Sequence, residues 1–96
     1  MRLLMEFEWD ETKRLTNLAK HGLDFTDLDE FDWSKPVIYA DVRKAYGEAR
    51  FMALAEFRGR VHSVTFTMRG PVVRAISFRR AHRKEVRRYE KEEIRP

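Results

Sequence analysis

The chain has no cysteine, and only 3 prolines and 4 glycines among its 96 residues. Without cysteine there are no disulfides, thiolate metal sites or cysteine nucleophiles, which fits a reducing cytoplasm as the expected location. No apolar run approaches the roughly 20 residues of a membrane span, so no membrane partner is expected. The opening residues, MRLLMEFEWD, lack the apolar core and small-residue cleavage site of a signal peptide. Met5 is an alternative start, which would make Met1–Leu4 a short upstream extension. Metal-binding patterns are missing too. His21, His62 and His82 share no ligand spacing and no carboxylate cluster joins them, so neither a metal nor another cofactor is expected. A Gly-rich phosphate loop and a GxSxG elbow are likewise absent.

What is present is charge, unevenly placed. Residues 1–56 hold 8 Lys/Arg and 12 Asp/Glu, whereas residues 57–96 hold 12 Lys/Arg and 4 Asp/Glu. Fourteen of the 20 cations are arginine, the side chain whose fork matches phosphate and carboxylate. The balance is therefore acidic, then strongly basic, which points to a polyanion on one surface, nucleic acid first among the candidates. Hydrophobic residues make up 43% of the chain, enough for one folded core, and no linker or repeat divides residues 1–96.

The pattern predicts an α+β domain, ordered β-α-α-β-β-β-α, with a small antiparallel sheet, two N-terminal helices and one C-terminal helix. Residues 5–9 alternate apolar and acidic, as in a short strand. Asp10 is placed to cap a helix with Leu15, Leu18 and Ala19 on its apolar side, ending in a Schellman cap at Gly22–Leu23. Asp24 can cap a second, shorter helix that turns Phe25, Leu28 and Phe31 inward and ends near Trp33. Val37–Tyr39 reads as a brief edge strand and residues 41–49 as a loop. Three strands follow, Phe51–Phe57, Val61–Met68 and Val72–Phe78, broken by "RGR" and "RGP", both short enough for hairpins. The last helix is expected from about Arg80 to Glu92. At about 100° per residue, Arg80, Arg83, Lys84, Arg87 and Lys91 share an arc of about 100°. Ala81, His82, Glu85, Val86 and Tyr89 lie on the other side, where Glu85 is expected to pair with an arginine inside the fold.

Chemistry concentrates in three places. The stretch "ISFRRAHRKEVRRYE", residues 76–90, carries five arginines and a lysine. Alternation would put Arg79 on the face of Ser77 and Ala75, at the end of a strand and beside a helix start, where it can serve a phosphate or a salt bridge. "GEAR" sets Glu48 and Arg50 two residues apart, a base beside a guanidinium or simply an ion pair. His21 ends the first helix, either as an imidazolium meeting the helix dipole or as an acid–base group.

These segments resemble the BrnT family of bacterial type II toxins, over nearly the whole chain from Met5 to Glu90. The carriers are "FEWDETKRLTNLAKHGLDF", "GEARF", "TMRG" and "ISFRRAHRKEVRRYE", in order and near the family's spacing. Phe78 stands where the family usually has alanine, Ala55 stands near a usual glycine, and "DWSKP" is longer than the usual turn. The resemblance implies a RelE-like fold and an endoribonuclease that blocks translation without a metal. It also implies neutralisation by BrnA, an antitoxin with a ribbon-helix-helix DNA-binding domain, in a complex that represses its own operon. By motif match the catalytic candidates are Lys13, His21, Glu48, Arg50, Arg79, Arg83 and Tyr89, with Arg69, Arg80 and Arg87 contacting RNA or phosphate. The alternative reading is a non-catalytic basic module that binds an antitoxin or nucleic acid.

Overall fold

A computed structural model describes residues 5–93, so the suggested Met1–Leu4 extension lies outside the described residues. Strand β1 (Phe7–Glu8) leads into helix α1 (Glu11–His21), a 3-10 helix (Phe25–Glu30) and strand β2 (Val37–Ala40). Strands β3 (Phe51–Phe57), β4 (Arg60–Arg69) and β5 (Val72–Arg80) follow, and helix α2 (Arg83–Glu93) comes last. The fold is α+β, with one strand more than the predicted order because the brief edge strand joins the sheet. That sheet runs β1-β5-β4-β3-β2 and is mixed rather than antiparallel, since β1 lies parallel to β5. A two-residue strand pairing across most of the chain leaves no local signature of direction. No helix among the described residues is long and apolar enough to cross a membrane.

The hairpins form where glycine permits them. Arg58 and Gly59 both take positive φ, 49° and 82°, as a two-residue type I′ connection between twisted strands requires. Opposite residues of antiparallel strands share a face, and the register therefore sorts the sheet into two sides. On one side Phe51, Ala53, Ala55, Phe57, Val64, Phe66, Val73, Ala75 and Phe78 pack with Phe25 and Leu28 of the 3-10 helix and Phe31 just after it. Phe78 is fully buried there, edge-on to Phe31 and Phe57. The other side carries Tyr39, Met52, Leu54, Ser63, Thr65, Thr67, Ser77 and Arg79, and α2 packs across its β2–β3 half.

Four local expectations need correcting. Opposite pairs change from Thr65–Ser77 to Phe66–Ala75, so Ile76 is an extra residue, a β-bulge in β5. Arg79 therefore keeps the face of Ser77 but not of Ala75, which turns into the core. Helix α2 starts at Arg83, because Arg80 is still opposite His62 in the sheet and Glu85 accepts from the His82 N–H at 2.8 Å to close the first turn; Arg80 is thus no part of the helical arc. Gly22, at φ 71°, closes α1 with a single bond from its N–H to Leu18 O, the simpler left-handed cap rather than the Schellman pair. Finally, Leu15, Leu18 and Ala19 face solvent, Leu15 being 53% exposed. The buried residue of α1 is the polar Asn17.

Candidate active site

Asn17 explains how α1 can lie against the sheet with its polar side. Parallel pairing with β1 ends at Arg74, leaving the outer edge of β5 open further along. Asn17 fills that edge as a strand would: its Nδ2 donates to Phe78 O at 2.8 Å, and its Oδ1 accepts from Phe78 N–H at 3.0 Å. A second Nδ2 bond, 3.0 Å to Leu23 O, ties in the chain after the helix. Replacing Asn17 by alanine would strand both Phe78 groups, and a buried polar group without a partner costs about 1–3 kcal/mol. Asn17→Ala is therefore expected to lower the denaturation midpoint clearly; an unchanged midpoint would mean that water satisfies these groups.

Between α1 and β5 lies a cleft of about 300 Å³ lined by Lys13, Thr16, Lys20, His21 and Ser77, with Asn17 and Ile76 among its walls. Positions 13, 16, 17 and 20 recur at helical spacing and so share one side of α1. His21 is half-buried at the end of this row. Desolvation lowers its pKa from the ordinary 6.5, and the charges of Lys20, Arg79 and His82 add to the effect. Both effects favour the neutral ring.

Arg79, on β5, is close enough for its charge to act on His21. Its Nη1 and Nη2 donate to the two carboxylate oxygens of Glu85 at 2.8 and 3.0 Å, and Nη1 also reaches Arg80 O at 3.1 Å. Glu85 is the internal partner that the sequence predicted. Burial opposes its ionisation, but hydrogen bonds from Arg79 and the His82 N–H hold its pKa below the ordinary value. The pair fixes the plane of the guanidinium and leaves its Nε–H and one Nη2–H for another oxygen. Nearby on α2, Arg88 stacks on Tyr39 at 3.8 Å. Tyr89 is only 2% exposed and belongs to the core.

A second polar cluster forms where residues 41–50 meet the sheet. Arg50 Nε lies 3.5 Å from Glu48 Oε2, and Arg69 Nη2 lies 3.4 Å from Glu48 Oε1. The Arg50 guanidinium stacks on the Tyr46 ring, 4.1 Å from its centroid. The Tyr46 hydroxyl donates to Asp41 at 3.0 Å, and Asp41 also takes a forked pair of bonds from Arg43, both 2.7 Å. Those bonds, Arg43 first, hold the buried Asp41 far below the usual carboxylate range. Neither Asp41 nor Tyr46 was singled out from sequence, although an Asp–x–Arg turn opening a glycine-containing loop is a detectable signal.

The predicted residues thus fall into two groups on one face of the sheet. Lys13 and His21 line the cleft, with Arg79 close enough for its charge to act on His21, while Glu48, Arg50 and Arg69 meet at the loop. Arg79 is level with Ser63, and Arg50 with Thr67, whose hydroxyl donates to Ala49 O. At about 3.3 Å per residue and 4.8 Å per strand, that is roughly 13 Å along β4 and about 10 Å across it. One phosphate cannot bridge that gap, but a short strand of nucleotides can. Arg83 and Arg87 are exposed on α2, whereas Arg80, opposite His62, is exposed on the face of Phe78 and not on that of Arg79. Phe78 points to the opposite face, so its bulk does not enter the cleft. Among the described residues, no group of three or more His, Cys, Asp or Glu is arranged to hold a metal ion.

A family model described as the ribonuclease toxin BrnT of type II toxin–antitoxin systems matches residues 9–85. The match includes the cleft, the loop cluster and the Arg79–Glu85 pair. No curated protein matches the chain.

Proposed function

The chain belongs to the BrnT family, the ribonuclease toxins of type II toxin–antitoxin systems, and we propose that it cuts RNA without a metal, by attack of a ribose 2′-hydroxyl on the neighbouring phosphorus. The observation that carries this reading is the cleft, lined by His21, Lys20 and Lys13, with the oriented guanidinium of Arg79 close enough to lower the pKa of the imidazole. His21 takes the 2′-hydroxyl proton, the 2′-oxygen bonds to phosphorus, and the bond to the 5′-oxygen breaks to leave a 2′,3′-cyclic phosphate. Arg79 stabilises the charge that develops on the phosphoryl oxygens, the term that usually contributes most. Lys13 protonates the departing 5′-oxygen, and Arg83, exposed on the first turn of α2, binds an adjacent phosphate. Arg87, one turn further along α2, extends the same basic margin, whereas Arg80 lies on the sheet face of Phe78.

His21 is favoured over Glu48 as the base because it lines the cleft near Arg79, whereas Glu48 sits between two arginines at the far cluster. Tyr89 is too buried to touch the substrate. Guanidinium and ammonium groups already supply the positive charge that a metal would bring, which supports a metal-free reaction.

The family implies an antitoxin partner and an RNA target. We read the fold as RelE-like, the cellular effect as inhibition of translation, and the partner as a BrnA-like ribbon-helix-helix antitoxin whose complex binds operator DNA. Purified protein should cleave RNA in EDTA and leave cyclic phosphate ends; no cleavage of any RNA, translating ribosomes included, would refute the reading.

A further inference from the structure

The loop cluster has the parts of a different device. Its centre is Arg50, which presents one group to an aromatic ring and another to a carboxylate. The guanidinium carbon is 4.1 Å from the Tyr46 centroid, and Nε is 3.5 Å from Glu48 Oε2. The ring packs on the guanidinium, with Lys44 Nζ also over it at 5.3 Å, and the carboxylate lies beside Nε. Tyr46 is held in place through its hydroxyl by the buried Asp41, so the ring is positioned within an otherwise irregular loop. Glu48 is exposed, and its contacts to Arg50 and Arg69 are long, 3.5 and 3.4 Å. Its oxygens thus retain lone pairs for another donor.

Unpaired RNA bases are recognised by stacking on aromatic rings or guanidinium planes and by hydrogen bonds to their edges. A carboxylate only accepts, so it selects bases that offer N–H donors and repels those that present carbonyl oxygens. Guanine offers adjacent donors on its Watson–Crick edge, at N1 and at the 2-amino group, which suits a two-oxygen acceptor best. We propose that Tyr46, Arg50 and Glu48 form a nucleobase-recognition site that seats a guanine of the strand whose scissile phosphate occupies the cleft, with Arg69 on the backbone beside it. The site rests on the RNA-cleaving assignment for its place in the reaction, but base binding is measurable without cleavage. It lies a few nucleotides from the cleft and sets where the chain cuts rather than how.

The test is binding of uncleavable 2′-O-methyl tetranucleotides, one with a single guanine and one of uracil alone, followed by fluorescence anisotropy. Base–aromatic stacking and edge bonding together should favour the guanine oligonucleotide about ten-fold or more. Glu48→Gln and Tyr46→Leu should abolish that preference, and Tyr46→Phe, which keeps the ring but loses its bond to Asp41, should weaken it without abolishing it. Equal binding of the two oligonucleotides by the unaltered protein, or a preference that survives Glu48→Gln, overturns the proposal. If Glu48→Gln stops cleavage of every RNA yet leaves the guanine preference intact, Glu48 belongs to the chemistry and the proposal also falls. A guanine preference in a protein that cuts no RNA would uphold the base site and refute the nuclease assignment instead.

Discussion

Arg79→Ala is expected to reduce kcat for RNA cleavage by about 10²–10³-fold, the typical loss when one donor to a developing oxyanion is removed. Two features make Arg79 the most sensitive position. It is carried by a strand, beyond a bulge that keeps it on the face of Ser77, and both Nη atoms are fixed by Glu85 at 2.8 and 3.0 Å. A donor held in advance loses nothing to reorganisation when charge appears at phosphorus. The same pair predicts a structural side effect, because Glu85 would lose its partner at only 15% side-chain exposure. Breaking a buried pair from one side costs more than the pair contributes, so Arg79→Ala should also melt earlier. Arg79→Lys separates the two effects. It keeps a cation near Glu85 but not the fork, and should recover much of the stability while restoring little of the rate. Equal recovery of both would mean that Arg79 serves the fold alone.

The second large effect is on pH dependence. His21 must be neutral to accept a proton, and its pKa lies below 6.5 through desolvation and the nearby charges of Lys20, Arg79 and His82. The rate should therefore rise with pH through a limb whose midpoint lies below 6.5 and reach a plateau near neutrality. His21→Gln should remove this limb and lower kcat by about 10²–10⁴-fold, the usual contribution of a positioned base. Lys20→Ala, which removes one neighbouring cation, should move the midpoint upward, toward the ordinary value. A limb that persists unchanged in His21→Gln would assign the proton transfer elsewhere.

Much of the fold was legible because it rests on local rules. Strand β3 fell between the predicted residues, the expected Phe25, Leu28 and Phe31 are buried although the 3-10 helix ends at Glu30 rather than near Trp33, and Gly22 ended α1 in the left-handed conformation. That Glu85 pairs with an arginine was readable, because a carboxylate on the packing side of a basic helix needs a partner; that the arginine is Arg79 was not. What stayed hidden was non-local. Periodicity showed that α1 is two-sided but not which side meets the sheet, and a single Asn17 placed against an open strand edge reversed the expectation for Leu15 and Leu18. One extra residue in β5 turned Ala75 away from Arg79, which strict alternation cannot foresee. The site was legible as a set of residues and not as an arrangement. Motif order named Lys13, His21, Glu48, Arg50 and Arg79 together, and only the register of β3, β4 and β5 separates them into a cleft and a loop cluster.

The most direct test of the account uses one RNA in two forms, identical except for a single 2′-deoxy sugar at the mapped cut. Purified protein in EDTA should cut the all-ribose strand to a 2′,3′-cyclic phosphate and leave the deoxy strand intact at that position. Cleavage of the deoxy strand at the same bond, or cleavage that EDTA abolishes, would contradict it.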